Sequence, residues 1–587
     1  MSTSQSNLSN PKFGYDLVVA TTQASINATM KEFLDSVTAP VVIVCYVYGN
    51  DDALVQIPYA TLKANAKGSD PFGVPNGADP NSNQDLINLN AASFAGAFKA
   101  QIGLPDMDPA AIPPIVILGG GTDAPVVFNL LCSQFQIVGF NYGPHTTWIN
   151  QAQPSNAAWY FTSNVKLNGN TVDPNSPVPP AVQQQIQNML HTVGAGAFSL
   201  QQLFVDLDTA ILLSTPSIVG VPEGWPVWIM INADFLGQYF SQCQKTGQPV
   251  LGYTFTVTQP DPSTLKLGAM SMECDLLLDS SGNPIPNPTS AQQNAATLNY
   301  LCTTTKTPPT AVLFPWNWVE LGDVGSYSGI QAVRREMFVN YFLAILNLDA
   351  AQLCQDTAVS LTHSGDTYYV DYSCGPAGAP TTFQSITPGA AGSDGFTSMA
   401  SMSFVHSSHD DSEAADHMTS IHGDFNYTLT GDISFKDNLI RITLQLQVYM
   451  KFNHHELGIN YDDLPGANYY DKTVTIIYPL TVTSAGQLEA TPTSSTVDNS
   501  APWNFHAKGI LGGLGYESDV QNGLTTFQSN VDSLLDNNLQ AYQDQLIRLI
   551  NNSQSWVFPG GKTFVFNKVG FSDFQDLITH VTYVDPS

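Results

Sequence analysis

Four stretches of the chain bring together residue types that could do chemistry, and spacing decides what each can do. The densest holds His406, His409, Asp410, Asp411, Glu413, Asp416, His417 and His422. Imidazole with carboxylate is a ligand set for zinc or another transition metal. Metal sites on helices or hairpins need their ligands at i, i+4 or at opposed hairpin positions, and His406-x-x-His409 supplies neither. A solvated loop entering the next strand is expected here, with no metal. Ile115 to Ala124 reads IVILGGGTDA, with Gly119, Gly121 and Ala124 at the places of a dinucleotide fingerprint. That fingerprint needs a helix to open at once, so that its first amides meet a pyrophosphate. Here Pro125-Val126-Val127-Phe128 continues as a strand, so a glycine hairpin turn is expected. Gly325-Ser326-Tyr327-Ser328-Gly329 has the outline of a nucleophile elbow with Tyr in the place of Ser. After His455-Glu456, Ile459 stands where a zinc-binding HExxH helix needs its second His. Both passages read as loop or strand-end residues. No catalytic residue, metal or cofactor is assigned, and the chain reads as non-enzymatic.

The elements around these residues carry a stronger signal. From Ile421 to Phe435 every odd position is apolar or Gly and every even one is polar. After Lys436-Asp437-Asn438 the alternation resumes on even positions, Ile440, Ile442, Leu444, Leu446, Val448, Met450 and Phe452. Strict period two over about fourteen residues per strand predicts a half-buried antiparallel hairpin. Val474 to Thr483, followed by a Ser484-Ala485-Gly486 turn, would extend the sheet. Apolar residues from Val520 through Leu535, Leu539 and Tyr542 to Ile550 recur at intervals of mostly three and four, which predicts one amphipathic helix of about thirty residues. That helix would span roughly 45 Å, close to the hairpin's length, so the two could bury their apolar faces against each other.

Elsewhere, Thr21 or Thr22 can cap a short helix with Ile26, Met30, Phe33, Leu34 and Val37 on one face, ended by Pro40. Strands are expected at Val41 to Tyr48, Ile115 to Leu118, Val126 to Leu131, Trp159 to Leu167 and Tyr253 to Val257. Helical spacing returns with Val182, Ile186, Met189 and Val193, and from Ile330 through Val333, Met337 and Tyr341 to Ile345. Passages rich in Pro, Gly and Ser at Ser280 to Ser290 and Cys374 to Ser393 are boundary candidates. The second divides an N-terminal mixed lobe, 12–373, from a C-terminal lobe, 395–587.

Composition narrows the partners. The 587 residues carry 49 acids against 19 Lys plus Arg, a formal charge of -30. The four arginines form no basic stripe, so nucleic acid is not an expected partner, and membrane contact is expected to be peripheral at most. Seven widely spaced cysteines, with no CxxC pair, read as buried free thiols. No apolar run reaches the roughly 18 residues of a membrane helix. The first eleven residues lack the basic start and apolar run of a secretory signal, so a soluble protein is expected, cytoplasmic as synthesised, with any release by another route.

Several passages also resemble one family. Phe13-Gly14-Tyr15-Asp16-Leu17-Val18 with Ile26-Asn27 is similar to the start of the clostridial neurotoxin-cluster accessory proteins of the orfX type. So are Phe198-Ser199-Leu200-Gln201-Gln202-Leu203 with Asp206-Leu207, Trp316-Asn317-Trp318-Val319 leading into Ala332-Val333-Arg334-Arg335, and Trp556-Val557-Phe558-Pro559-Gly560-Gly561-Lys562. The resemblance implies the tubular lipid-binding (TULIP) fold, a lipid or other apolar ligand, association with toxin or virulence clusters and no catalytic residues.

The fold expected is therefore α+β, with long twisted antiparallel sheets wrapped around long amphipathic helices. The function expected is binding of a lipid or other apolar molecule, with a toxin component or related protein as a further partner. Its apolar lining is assigned to Phe425, Tyr427, Leu429, Ile442, Leu444, Leu446, Leu535, Leu539 and Tyr542. Two other readings fit the same residues: a β-pore-forming toxin that inserts residues 421–452, since a spanning strand needs only about 9 to 11 alternating residues, and a structural or interaction protein.

Overall fold

Long runs of alternating apolar and polar side chains, with few stretches of helical period, fold into antiparallel sheets. The computed structural model describes residues 2–36, 41–142, 144–172, 198–214, 218, 221–222, 224–229, 250–257, 269–304, 307, 309–364, 367–413, 417–484, 488–502, 504, 556–558 and 562–584. Among these residues one sheet has sixteen strands, a second has seven, and a separate hairpin has two. The helices expected over 182–193 and 519–551 lie outside the described residues, as do Leu535, Leu539 and Tyr542. The described helices are short, the longest being Arg335–Ala350, so the expected sheets are present while the long helices expected with them are not among the described elements.

In the first sheet, β1 (Leu17–Thr22) is buried along its whole length. Helix α1 (Gln23–Ser36) follows at once, and its end is capped as the sequence suggests, since the Ser25 amide donates to Thr22 Oγ1 at 3.1 Å. Ile26, Met30 and Leu34 form its buried face. Short β2 (Val116–Leu118) turns back into β3 (Pro125–Asn141), with Val116 opposite Phe128. Gly120 and Gly121, at φ 69° and 143°, carry that turn, so the glycine run is a hairpin connection. β4 (Ala269–Asp275), β5 (Thr297–Thr303), β6 (Gly329–Val333) and the C-terminal strands β12 (Lys562–Phe571) and β13 (Leu577–Val584) complete this region, in the order β4-β5-β1-β6-β13-β12.

β6 corrects the helix read from Ile330. All five of its residues are buried between β1 and β13, and the helix, α2, begins only at Arg335. Because every position of this strand is buried, Gln331 included, no polar outward face marks it as a strand, and Ile330 and Val333, three apart, read as the start of the helix that follows.

The second sheet is built on β8 (Thr397–Glu413), β9 (Thr419–Lys436), β10 (Leu439–Glu456) and β11 (Ile459–Val482), and β7 (Gln355–Ser364), a strand of the separate hairpin, packs against it. β9 and β10 pair without a register shift from Thr419–Glu456 to Lys436–Leu439, which leaves Asp437-Asn438 as the connection. Buried and part-exposed residues alternate along both strands as the sequence requires. At about 3.4 Å per residue each is roughly 60 Å long. β11 is one long strand, where the sequence suggested only a short extension from Val474.

One apolar core joins the sheets, from Leu17 and Val19 through Phe342 to Ile442 and Val581. At the Asp437 end, Phe435 stacks on Phe571 with centroids 4.4 Å apart, and the Phe571 amide donates to the Asp437 carbonyl at 2.5 Å. β12 and β13 fall within the proposed C-terminal lobe, 395–587, yet pair into the sheet that contains β1.

Candidate functional site

The inward face of β9 and β10 carries the lining assigned from sequence. Phe425, Tyr427, Leu429, Ile442, Leu444 and Leu446 are all buried. Over β9, Phe383 and Met402 sit above Gly431, and Val359 of β7 sits above Gly423. Tyr427 packs edge-on against Phe404 at 6.0 Å and donates its hydroxyl to the Leu353 carbonyl. Toward Phe435, Phe338 of α2 closes the face, with ring centroids 5.8 Å apart. Asn347 of α2 bonds both the amide and the carbonyl of Phe383. The β10 series Ile440 to Phe452 has no titratable side chain over roughly 40 Å.

The segment expected as a solvated loop, around His406 to Asp411, is the second half of β8. It lies in register against β9, with His409 opposite Asp424 and Asp411 opposite His422. Its odd residues face solvent, whereas its even residues meet the polar edge of β7. The Thr357 amide donates to His406 Nδ1 at 3.0 Å, and the Leu361 amide to Asp410 Oδ2 at 2.6 Å. Because both faces are polar, the strand carries no apolar alternation, and only its neighbours make it a strand.

On the outward face, His409 Nδ1 lies 2.7 Å from Asp424 Oδ1, and its Nε2 lies 3.0 Å from Asp411 Oδ2. His422 Nδ1 contacts the other oxygen of Asp411. Bonds to Asp424 and then Asp411 raise the pKa of His409. Burial works against ionisation of Asp411, but His422 and His409 hold its carboxyl below the usual range. These groups satisfy one another, and among the described residues no three His, Cys, Asp or Glu side chains are arranged to hold a metal ion.

Two buried polar groups escape a search by motif. The even series of β10 runs on past Phe452 to His454 and Glu456, so the alternation itself turns both inward. His454 is fully buried, with Nδ1 2.5 Å from Asp463 Oδ2, Nε2 3.6 Å from Glu456 Oε2, and its ring stacked on Tyr461. In β4, Glu273 is fully buried and Asp275 nearly so; Asn299 Nδ2 donates to Asp275 Oδ2 at 2.7 Å. Burial raises the pKa of both carboxyls, and the neighbouring charge of Asp275 raises that of Glu273 further. No local pattern distinguishes these two acids from surface acids.

The passages that carry the family resemblance belong to the first sheet and its cover. Phe13 meets Phe314 and Trp316 at 4.9 and 5.2 Å, and Trp316 meets Trp318 at 5.5 Å. Arg334 binds Asp16 at 2.9 Å. Phe198–Ser214 and Trp556–Phe558 are strands of the same sheet. Phe13, Trp316 and Trp318 pack together and Asp16 pairs with Arg334 within the fold.

No protein-family model matches the chain, and no curated protein does. Among solved structures the chain is similar to P47 of Clostridium botulinum E1, with a TM-score of 0.41 and 9% identity over 97% of this chain and 100% of that one. It is also similar to lipopolysaccharide binding protein, with a TM-score of 0.28 and 9% identity over 98% and 100%. The architecture described above stands on its own strand order and register. Among the described residues no helix is long and apolar enough to cross a membrane.

Proposed function

We propose that the chain is a non-enzymatic protein that holds a lipid or another apolar molecule against the inward face of its second sheet. The observation that carries this reading is that face, apolar from Ile440 to Phe452 on β10 and matched across the register by Phe425, Tyr427 and Leu429 on β9. Removing apolar ligand surface from water there contributes about 0.8 kcal/mol per methylene, enough to hold an acyl chain without a charged anchor. The role proposed is that of a toxin-cluster accessory or virulence factor, with a toxin component or related protein as its partner. It is supported by the four sequence passages.

Lipid extraction and mass spectrometry of the purified chain test the reading, together with displacement of a fluorescent fatty acid. A stoichiometric lipid, or saturable displacement lost in Leu444→Asp, is expected. A chain that carries no lipid and binds no probe would be a structural or interaction protein. Dye release from vesicles would instead favour the pore-forming reading.

A further inference from the structure

A half-open cavity of about 290 Å³ lies at the C-terminal strands of the first sheet, and none of its lining residues belongs to the second sheet. Three segments enclose it, and each is bonded to a neighbour. One wall is the end of β12 and β13, with Lys568, Phe571, Ile578 and His580. Another is the turn Leu321–Asp323 with Glu320 before it. That turn is held to β13, since the Ser328 amide donates to the Val581 carbonyl at 2.8 Å and Tyr327 meets the His580 ring edge-on at 4.7 Å. The third is the first turn, Thr3–Gln5. Here Thr3 Oγ1 donates to the Trp318 carbonyl at 2.5 Å, and the Asp573 amide donates to the Ser4 carbonyl at 2.7 Å. Ligand pockets usually measure roughly 300–1,000 Å³, so the occupant of this one is small.

The register of β12 against β13 places the cation of this cavity. Phe566 stands opposite Val581, but it is Lys568 that stands opposite His580. Asn567 is therefore an extra residue, and it bonds Thr582. Regular pairing would set Asn567 beside His580; the bulge gives that place to Lys568, and bulges re-aim side chains in this way. Burial, and then the charge of Lys568, hold the pKa of His580 down to about 4, so its imidazole is neutral. His580 Nδ1 is shielded from solvent and has no hydrogen-bond partner among the described residues. Lys568, Glu320 and Asp323 line the same cavity, yet none of them forms an ion pair with a described residue. The fold gains nothing by holding unpaired charges of both signs around one space, whereas a ligand that meets each of them gains contacts of matching sign.

We propose that this cavity is a binding site for a basic α-amino acid such as lysine or arginine. The carboxylate of the ligand lies against Lys568 and His580, and its two cationic groups meet Glu320 and Asp323. With a neutral imidazole the cavity carries two negative charges and one positive, and the ligand carries the inverse set. Glutamate would set a second carboxylate among acids, and a diamine would leave Lys568 without a partner, so both are discriminated against. The site is independent of what the inward face of the second sheet holds.

Isothermal titration calorimetry of the full chain at neutral pH tests it with lysine, arginine, glutamate and cadaverine, the last being lysine without its carboxylate. Saturable one-to-one binding of lysine or arginine is expected. Glutamate and cadaverine should bind more weakly by about tenfold or more, the worth of one charge-assisted contact. Lys568→Met should weaken lysine binding by a similar factor and leave cadaverine binding no weaker, which removes the preference for the carboxylate. Glu320→Gln with Asp323→Asn should weaken both ligands. Lys568 and Glu320 are exposed, so these variants should melt with the parent. The proposal is overturned by no saturable binding of either basic amino acid at millimolar concentration, by glutamate or cadaverine binding as tightly as lysine, or by full lysine binding in both variants. Calcium binding without lysine binding, lost in Glu320→Gln with Asp323→Asn, would make the cavity a metal site and overturn it equally.

Discussion

Gly431 of β9 stands directly opposite Leu444 of β10, and the space a side chain would take at Gly431 is filled from the other side by Phe383. A Cβ there would lie 2.6 Å from Phe383 Cζ and 2.8 Å from Met402 Cγ. Gly431→Ala should therefore overpack the face and lower stability by about 1–3 kcal/mol. Urea unfolding beside the parent measures this; an unchanged midpoint would mean that Phe383 moves aside freely.

The alternation of β10 predicts opposite outcomes for neighbouring residues. Leu444→Asp places a carboxylate on the buried face and should cost several kcal/mol, whereas Thr443→Asp and Gln445→Asp, on the outward face, should cost little. Thermal unfolding of the three variants decides it. Equal small shifts would show that the face is not a sealed interior.

Helix α1 acts as a strand partner through one side chain. Asn27 Oδ1 accepts from the amides of Ile115 and Val116 at 2.7 and 2.8 Å, and Nδ2 donates to the Val116 carbonyl at 2.7 Å. Asn27→Ala leaves these backbone groups unpaired inside the core, at a cost of about 1–3 kcal/mol for each group that water cannot reach. Hydrogen exchange should show the Ile115 and Val116 amides losing protection first, while those of Val41 to Tyr48 keep theirs.

The buried acids of β4 give stability a pH dependence. Glu273 and Asp275 both have folded pKa values raised above the ordinary carboxylate range. The folded chain therefore holds protons that the unfolded chain has released, and stability falls as pH rises from that range through the folded values. Glu273→Gln removes one of these groups. Its melting temperature should match the parent's near about pH 5 and exceed it near about pH 9. Identical slopes for the two proteins would show that Glu273 is not the group responsible.

Much of this was legible in the sequence because it depends on local periodicity. The strict alternation on either side of Lys436-Asp437-Asn438 already determined a long hairpin, its turn and its buried face, since a one-residue slip would turn every Leu and Ile of β10 to water. Pro125 after the glycine run determined a hairpin in place of a nucleotide loop, and the spacing of the cysteines was enough to expect free thiols, which Cys45, Cys132, Cys274, Cys302 and Cys354 are. Tertiary structure decided what depends on neighbours distant in the chain. His406 to Glu413 form a strand because β9 pairs with their backbone while β7 amides bond the His406 and Asp410 side chains, and Ile330 to Val333 form one because β1 and β13 flank them. Glu273 and Asp275 are buried by surfaces that no local pattern announces, whereas the inward turn of His454 follows from the alternation of β10. The outward cluster of His409, Asp411, His422 and Asp424 is assembled only by the register of β8 against β9, because residues that stand opposite each other in an antiparallel pair are separated in sequence by the length of the hairpin between them.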